Sequence, residues 1–117
     1  FESSNQLGNR QAAVDCEIGG VAVNAGTYIH IGIGAANRDP AEFDEPERLD
    51  ITRKPNRHVA FATGIHVCAG AALARMEGQV ALGKLVRRFP ELRLAGEPVR
   101  GGRARFRGFL QLPVAVR

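Results

Sequence analysis

The residues best suited to chemistry lie together in Phe61-Ala62-Thr63-Gly64-Ile65-His66-Val67-Cys68-Ala69-Gly70, followed by Ala71-Ala72-Leu73-Ala74-Arg75. This is a glycine-bracketed loop that delivers one cysteine to the start of a long helix. Free backbone N–H groups and the helix dipole favour a thiolate at such a position. Gly64 and Gly70 let the backbone approach a flat or bulky partner closely. Phe61 is placed to shield one side of the sulfur. His66, two residues before Cys68, points the same way in an extended loop. A sheltered thiolate beside close-approach glycines suits a metal.

Three other roles compete for Cys68. A lone cysteine is most often a buried structural residue. A zinc site built from Cys68, His66 and a distant Cys16 or His58 lacks the paired ligand spacing such sites show. A nucleophilic cysteine with His66 as its base is the third, although two residues of separation is a poor predictor of a working pair. The metal reading is preferred because the whole pattern surrounds the cysteine.

The elements that position this loop are readable from periodicity. Residues 69–89 predict a long helix, with Leu73, Met76 and Val80, and then the pair Leu82/Leu85 with Phe89, at three-four spacing. Pro90 stops it. Gly78 and Gly83 inside it each cost about 1 kcal/mol against Ala, which suggests close packing there. Upstream, Val14, Cys16 and Ile18 alternate with Asp15 and Glu17. Gly19-Gly20 supplies a hairpin turn, and Val21 and Val23 continue the alternation. Ile29, Ile31 and Ile33 mark a third strand, so three short strands are expected to form one small antiparallel unit.

Residues 1–8 read as extended or coil, with Gly8-Asn9 as a turn. A short helix or turn is expected near 37–43. Residues 44–68 form a long structureless stretch, which in a compact domain is usually functional. Leu92, Leu94 and residues 109–116 read as strands flanking a Gly101-Gly102 turn.

Composition bounds the function classes. The 117 residues are 44% hydrophobic and 24% charged, a globular balance with no Trp and 14 glycines. The longest stretch free of charge, between Val21 and Arg38, is broken by glycines, asparagines and a histidine, so no membrane-spanning helix is expected. No basic-then-apolar leader follows Phe1, so no secretory signal is expected. Two cysteines are too few for a disulfide framework, and a cytoplasmic protein is the simplest reading. Sixteen Lys+Arg against 12 Asp+Glu give a net charge of +4. Acidic residues gather in 39–50, whereas Arg100, Arg103, Arg105 and Arg107 crowd the C-terminal stretch. Aromatics do not interleave the basic runs and no zinc-knuckle spacing occurs, so nucleic acid is not an expected partner.

Spelled as F-x-x-G-x-H-x-C-x-G-x-x-L-A-R by Phe61, Gly64, His66, Cys68, Gly70, Leu73, Ala74 and Arg75, the loop closely resembles the haem-binding loop of the cytochrome P450 family. Residues 14–26 resemble that family's strand pair before its meander. Ala36-Asn37-Arg38-Asp39-Pro40 and residues 43–53 resemble the meander of soluble bacterial members. Residues 94–116, with Arg107-Gly108-Phe109 and Leu112-Pro113, are similar to its C-terminal hairpin.

The resemblance implies an α+β fold, the C-terminal portion of the cytochrome P450 fold, as a single partial domain. Its parts are a strand region over 1–34, the meander over 35–60, the haem-ligand loop over 61–70, the long helix over 71–89 and C-terminal strands over 90–117. The family's E-x-x-R helix and its central acid–alcohol helix are not matched. Cys68 would be the axial thiolate of haem b iron, pushing electron density that favours O–O cleavage. Phe61, Gly64 and Gly70 would line the cofactor, and His66 and Arg10 match positions that hold a haem propionate. Arg48 matches the meander arginine that locks against the family's helix Glu–Arg pair.

Asn5, Gln6, Leu7, Arg105 and Phe106 fall where substrate-contacting loops occur. The implied activity is monooxygenation of a small organic substrate with electrons from a redox partner. Arg53, Lys54, Arg57 and Arg75 would suit an acidic iron–sulfur ferredoxin. The alternative expectation is a truncated, inactive remnant or an interaction module with weak or no haem binding.

Overall fold

The computed structural model describes residues 3–116. They divide into two compact units: Phe1–Ala60 with Ala104–Arg107, and Phe61–Arg103 with Gly108–Arg117.

In the first unit, β1 (Leu7–Gln11), β2 (Cys16–Ile18), β3 (Val21–Val23) and β4 (Tyr28–Gly32) follow in order. Gly19 and Gly20 both take positive φ, 57° and 80°, the backbone a two-residue hairpin turn requires. The β2–β3 hairpin forms as expected, with Cys16 opposite Val23. The third strand does not extend it. β4 instead pairs antiparallel with β1, from Leu7 opposite Gly32 to Gln11 opposite Tyr28, making two separate two-stranded sheets.

Gly8-Asn9 is therefore strand and not turn. The absent Gly8 side chain leaves room for Ile31 and Ile33, whose atoms come within 3.5–3.6 Å of where a Cβ would stand. Asn9 Oδ1 lies 3.1 Å from His30 Nδ1 across the ladder. Pairing with a distant strand outweighs local turn propensity here.

β4 runs into α1 (Ile33–Ala36), a single turn of helix. Residues 37–43 continue as turns, closed by Asp39 O accepting from Phe43 N at 2.9 Å. The core of this unit is Ala12, Ile33 and Phe43, with buried Ser3 and Asn37 beside them. Asn37 Oδ1 accepts the Val59 amide at 2.7 Å, which ties the far end of the coil back to α1. Along the coil, Arg53 donates to the carbonyls of Asp44 (2.6 Å) and Glu45 (3.3 Å). Arg48 pairs with Glu45 at 2.9 Å, Arg57 with Glu42 at 3.6 Å, and Arg38 with Glu47. The stretch thus lacks regular structure while several of its charges and carbonyls are partnered.

In the second unit the expected long helix is α2 (Ala71–Arg88), ending where Leu85 O accepts the Phe89 amide at 2.9 Å, one residue before Pro90. β5 (Arg93–Leu94) pairs with β8 (Val114–Ala115), and β6 (Val99–Arg100) with β7 (Phe109–Gln111). The run expected over 109–116 is split at Leu112-Pro113, because proline lacks the N–H a ladder uses. Leu73, Met76, Val80, Leu82 and Leu85 are all exposed, and no residue of α2 is buried. The glycines do not mark close packing: nothing lies within 4 Å of a Cβ placed on Gly78, and Gly83 meets only Arg87 of its own helix. No helix among the described residues is long and apolar enough to cross a membrane.

Candidate functional site

The loop before α2 is shaped by two left-handed residues, Ala62 (φ 59°) and Gly64 (φ 65°). After them the chain makes a 3-10 turn over Gly64–His66, with Gly64 O accepting from Val67 N at 3.1 Å. The Cys68 amide then donates back to Phe61 O at 2.8 Å and closes the loop. Cys68 O accepts from Ala71 N (3.1 Å) and Gly70 O from Ala74 N (2.9 Å), which starts α2. Cys68 therefore stands just ahead of the first helical turn, where backbone N–H groups lack intrahelical partners.

Its thiol is free and exposed. Sγ lies 3.9 Å from where a Cβ on Gly70 would sit, and nothing comes within 4 Å of one on Gly64. Ile65 and Val67 of the same loop are 96% and 57% exposed. Phe61 is half-buried, and its ring is covered on one face by the Arg75 guanidinium, 4.9 Å from the ring centroid. His66 closes the 3-10 turn and is exposed. Among the described residues no group of three or more His, Cys, Asp or Glu is placed to hold a metal ion.

Phe61, Gly64, His66, Cys68 and Gly70 all belong to the second unit, and Arg10 to the first. Arg10 stands on β1 opposite Ile29, exposed, with Nη1 donating to Asn9 O at 2.8 Å. Within the first unit the two segments expected to meet substrate are brought together. Asn5 bridges Phe106, Gln6 N donates to Arg105 O at 2.8 Å, and Arg107 N donates to Ser4 O at 2.8 Å. Leu7 opens β1 opposite Gly32. The Gln6 amide bonds Ser3 O and occupies the space over Gly34, while Arg105 stacks on Phe106 at 5.4 Å.

Of the four cations expected to face a redox partner, Arg53 and Arg57 are bonded within the meander and Arg75 stacks on Phe61. Two features escaped sequence reading. Ala62 carries no turn propensity that would announce its left-handed backbone. Arg75 is fourteen positions from Phe61, a spacing no helix or strand period would pair.

The family described as Cytochrome P450 matches residues 3–100. Cytochrome P450 107B1 of Saccharopolyspora erythraea is 49% identical over 89 residues, covering 76% of this chain and 22% of the relative. The biotin biosynthesis cytochrome P450 of Bacillus subtilis is 43% identical over 119 residues, covering 97% and 29%. Among solved structures, P450BioI in complex with hexadec-9Z-enoic acid ligated acyl carrier protein superposes with a TM-score of 0.94 at 43% identity, covering 100% of this chain and 31% of that one. CYP109E1 from Bacillus megaterium in complex with testosterone gives 0.95 at 33% identity, covering 100% and 33%. The chain spans about a third or less of the length of the proteins it matches. The chain matches these relatives as an α+β portion of a larger fold, and it belongs to the cytochrome P450 family.

Proposed function

We propose that this chain is the haem-thiolate segment of a monooxygenase that inserts one oxygen atom into a small organic substrate. Electrons would come from a redox partner, with an acidic ferredoxin as the preferred class. The observation that carries the reading is the presentation of Cys68: a free, exposed thiol ahead of α2, its amide tied to Phe61 O. The residues around it fit a flat macrocycle. Space over Gly64 is open, Gly70 adds no side chain beside Sγ, and Ile65 and Val67 offer exposed apolar contact.

Bound haem b would supply redox-active iron for oxygen activation. Cys68 Sγ, as a thiolate, would donate electron density to that iron. Phe61 would keep water from one side of the sulfur. By the family resemblance, His66 and Arg10 would each donate to a propionate carboxylate, in bonds strengthened by charge. Asn5, Gln6, Leu7, Arg105 and Phe106 form a substrate-facing segment, supported by the bridge that joins its two halves. The solved neighbours hold ligands as unlike as testosterone and a fatty acid on a carrier protein, so likeness selects no substrate. Arg53, Lys54, Arg57 and Arg75 would offer the positive charge for such a partner, although Arg53 and Arg57 are also bonded within residues 42–57 and Arg75 stacks on Phe61. A cytoplasmic setting, where thiols stay reduced, suits the two free cysteines.

The test is the reduced, carbon-monoxide-bound absorption spectrum of the haem-loaded intact protein beside its Cys68→Ser variant. The Soret band is expected to move when sulfur is replaced. An unchanged band means that Cys68 is not the ligand, and the inactive-remnant alternative then takes its place.

A further inference from the structure

Phe61 is held at two points. Its carbonyl accepts the Cys68 amide at 2.8 Å, and its ring lies under the Arg75 guanidinium at 4.9 Å. Between Phe61 and Cys68 the backbone passes through the left-handed region at Ala62 and again at Gly64. Glycine takes that conformation freely, but alanine does not. The loop is thus strained at the residue next to Phe61, and strain of this kind persists only where surrounding contacts hold it.

Two other arginine–phenylalanine stackings are seen among the described residues, and they differ in kind. Arg105 covers its immediate neighbour Phe106, and Arg100 covers Phe109, its partner across the β6–β7 ladder. Each joins residues already joined by the backbone. Arg75 reaches from α2 to the loop, and the ring it covers belongs to the residue whose carbonyl receives the Cys68 amide.

We propose that Arg75 is a positioning residue for Cys68: stacked on Phe61, it fixes the residue whose carbonyl closes the loop, and so fixes where the sulfur is presented. This rests on the reading of Cys68 as the haem ligand. It gives Arg75 a task inside the chain, distinct from offering charge to a redox partner.

The experiment measures hydrogen exchange at the Cys68 amide in the haem-free intact protein, for the parent, Arg75→Gln, Arg75→Lys, Phe61→Leu and the Arg75→Gln/Phe61→Leu double variant. Losing an exposed cation–π contact should speed exchange on the order of two- to fivefold in Arg75→Gln. Arg75→Lys should recover part of that protection, because a cation remains over the ring. With Leu at position 61, Arg75→Gln should add nothing further. In the haem-loaded protein, the fraction of the carbon-monoxide complex keeping the thiolate band should fall in the same order.

Unchanged exchange in Arg75→Gln overturns the proposal. So does an equal effect on the Phe61→Leu background, or a lysine variant no better protected than the glutamine one. If parent and Cys68→Ser share one spectrum, the haem-thiolate reading fails instead, and the haem-free exchange series still decides whether the clamp exists.

Discussion

The strand-and-meander unit buries Ala12, Ile33 and Phe43, and it pins its long coil through Asn37 to Val59 and through arginine–acid pairs. The cysteine-loop unit has no buried residue among those described, and α2 stands with its apolar stripe exposed. The first unit holds itself together by long-range packing. The second owes the geometry of its cysteine loop and helix to short-range hydrogen bonds, and only its two small ladders reach further along the chain. An 18-residue helix carrying Gly78 and Gly83 is marginal without a covered face. Burial for that stripe is not supplied within its own unit. Ligand placement and helix stability therefore have different sources.

Phe43→Ala should cost about 3–5 kcal/mol, seen as a lower denaturant midpoint with unchanged slope. A loss under about 1 kcal/mol would erase the contrast, because it would leave the first unit without a working core. Asn37→Ala should cost about 1–3 kcal/mol, since it removes the acceptor of a part-buried amide. Exchange at the Val59 amide should rise with it, and protection retained there would show that another group holds the coil. Val80→Ala on α2 should change the stability of this 117-residue chain by less than about 0.5 kcal/mol. A loss of about 2 kcal/mol would show the stripe to be buried after all.

The smallest effect concerns pH. The Thr52 hydroxyl and amide bonding Asp50 Oδ1, helped by Arg48 and Arg53, hold its carboxyl below the ordinary 3.8. A lowered value stabilises the folded chain above the ordinary value, and that contribution is lost as pH falls through the lowered one. Thr52→Ala should bring the Asp50 carboxyl back up, as followed by NMR titration of its carboxyl carbon. No upward movement would mean that Thr52 does not govern it.

What was legible in the sequence was what neighbouring residues decide among themselves. Gly19-Gly20 sets its own hairpin because both positions need positive φ. The spacing of glycines around Cys68 marks a loop leading into a helix, and Pro90 marks where that helix ends. β1 was misread because Gly8-Asn9 carries turn propensity, while its partner strand lies some twenty residues on. The split between β7 and β8 follows from the missing N–H of Pro113, a clue present in the sequence but outvoted there by the apolar run around it. The apolar residues of α2 recur at helical spacing, yet periodicity says only that a face should be covered and not by what. Joining of the Asn5 and Phe106 segments was invisible for a simpler reason: some hundred residues separate them.

The bond from the Cys68 amide to Phe61 O has a consequence for the order of assembly. It closes a loop of under ten residues, a contact that chains of this length make in tens of nanoseconds and at small entropic cost. Pairing of Leu94 with Val114, or of Asn5 with Phe106, must wait for wider excursions of the chain. The contact that frames the sulfur is thus among the first the chain can make, although holding it through the left-handed Ala62 waits on Arg75 and the helix that carries it. A nascent chain would present Cys68 before the strands that follow it have paired.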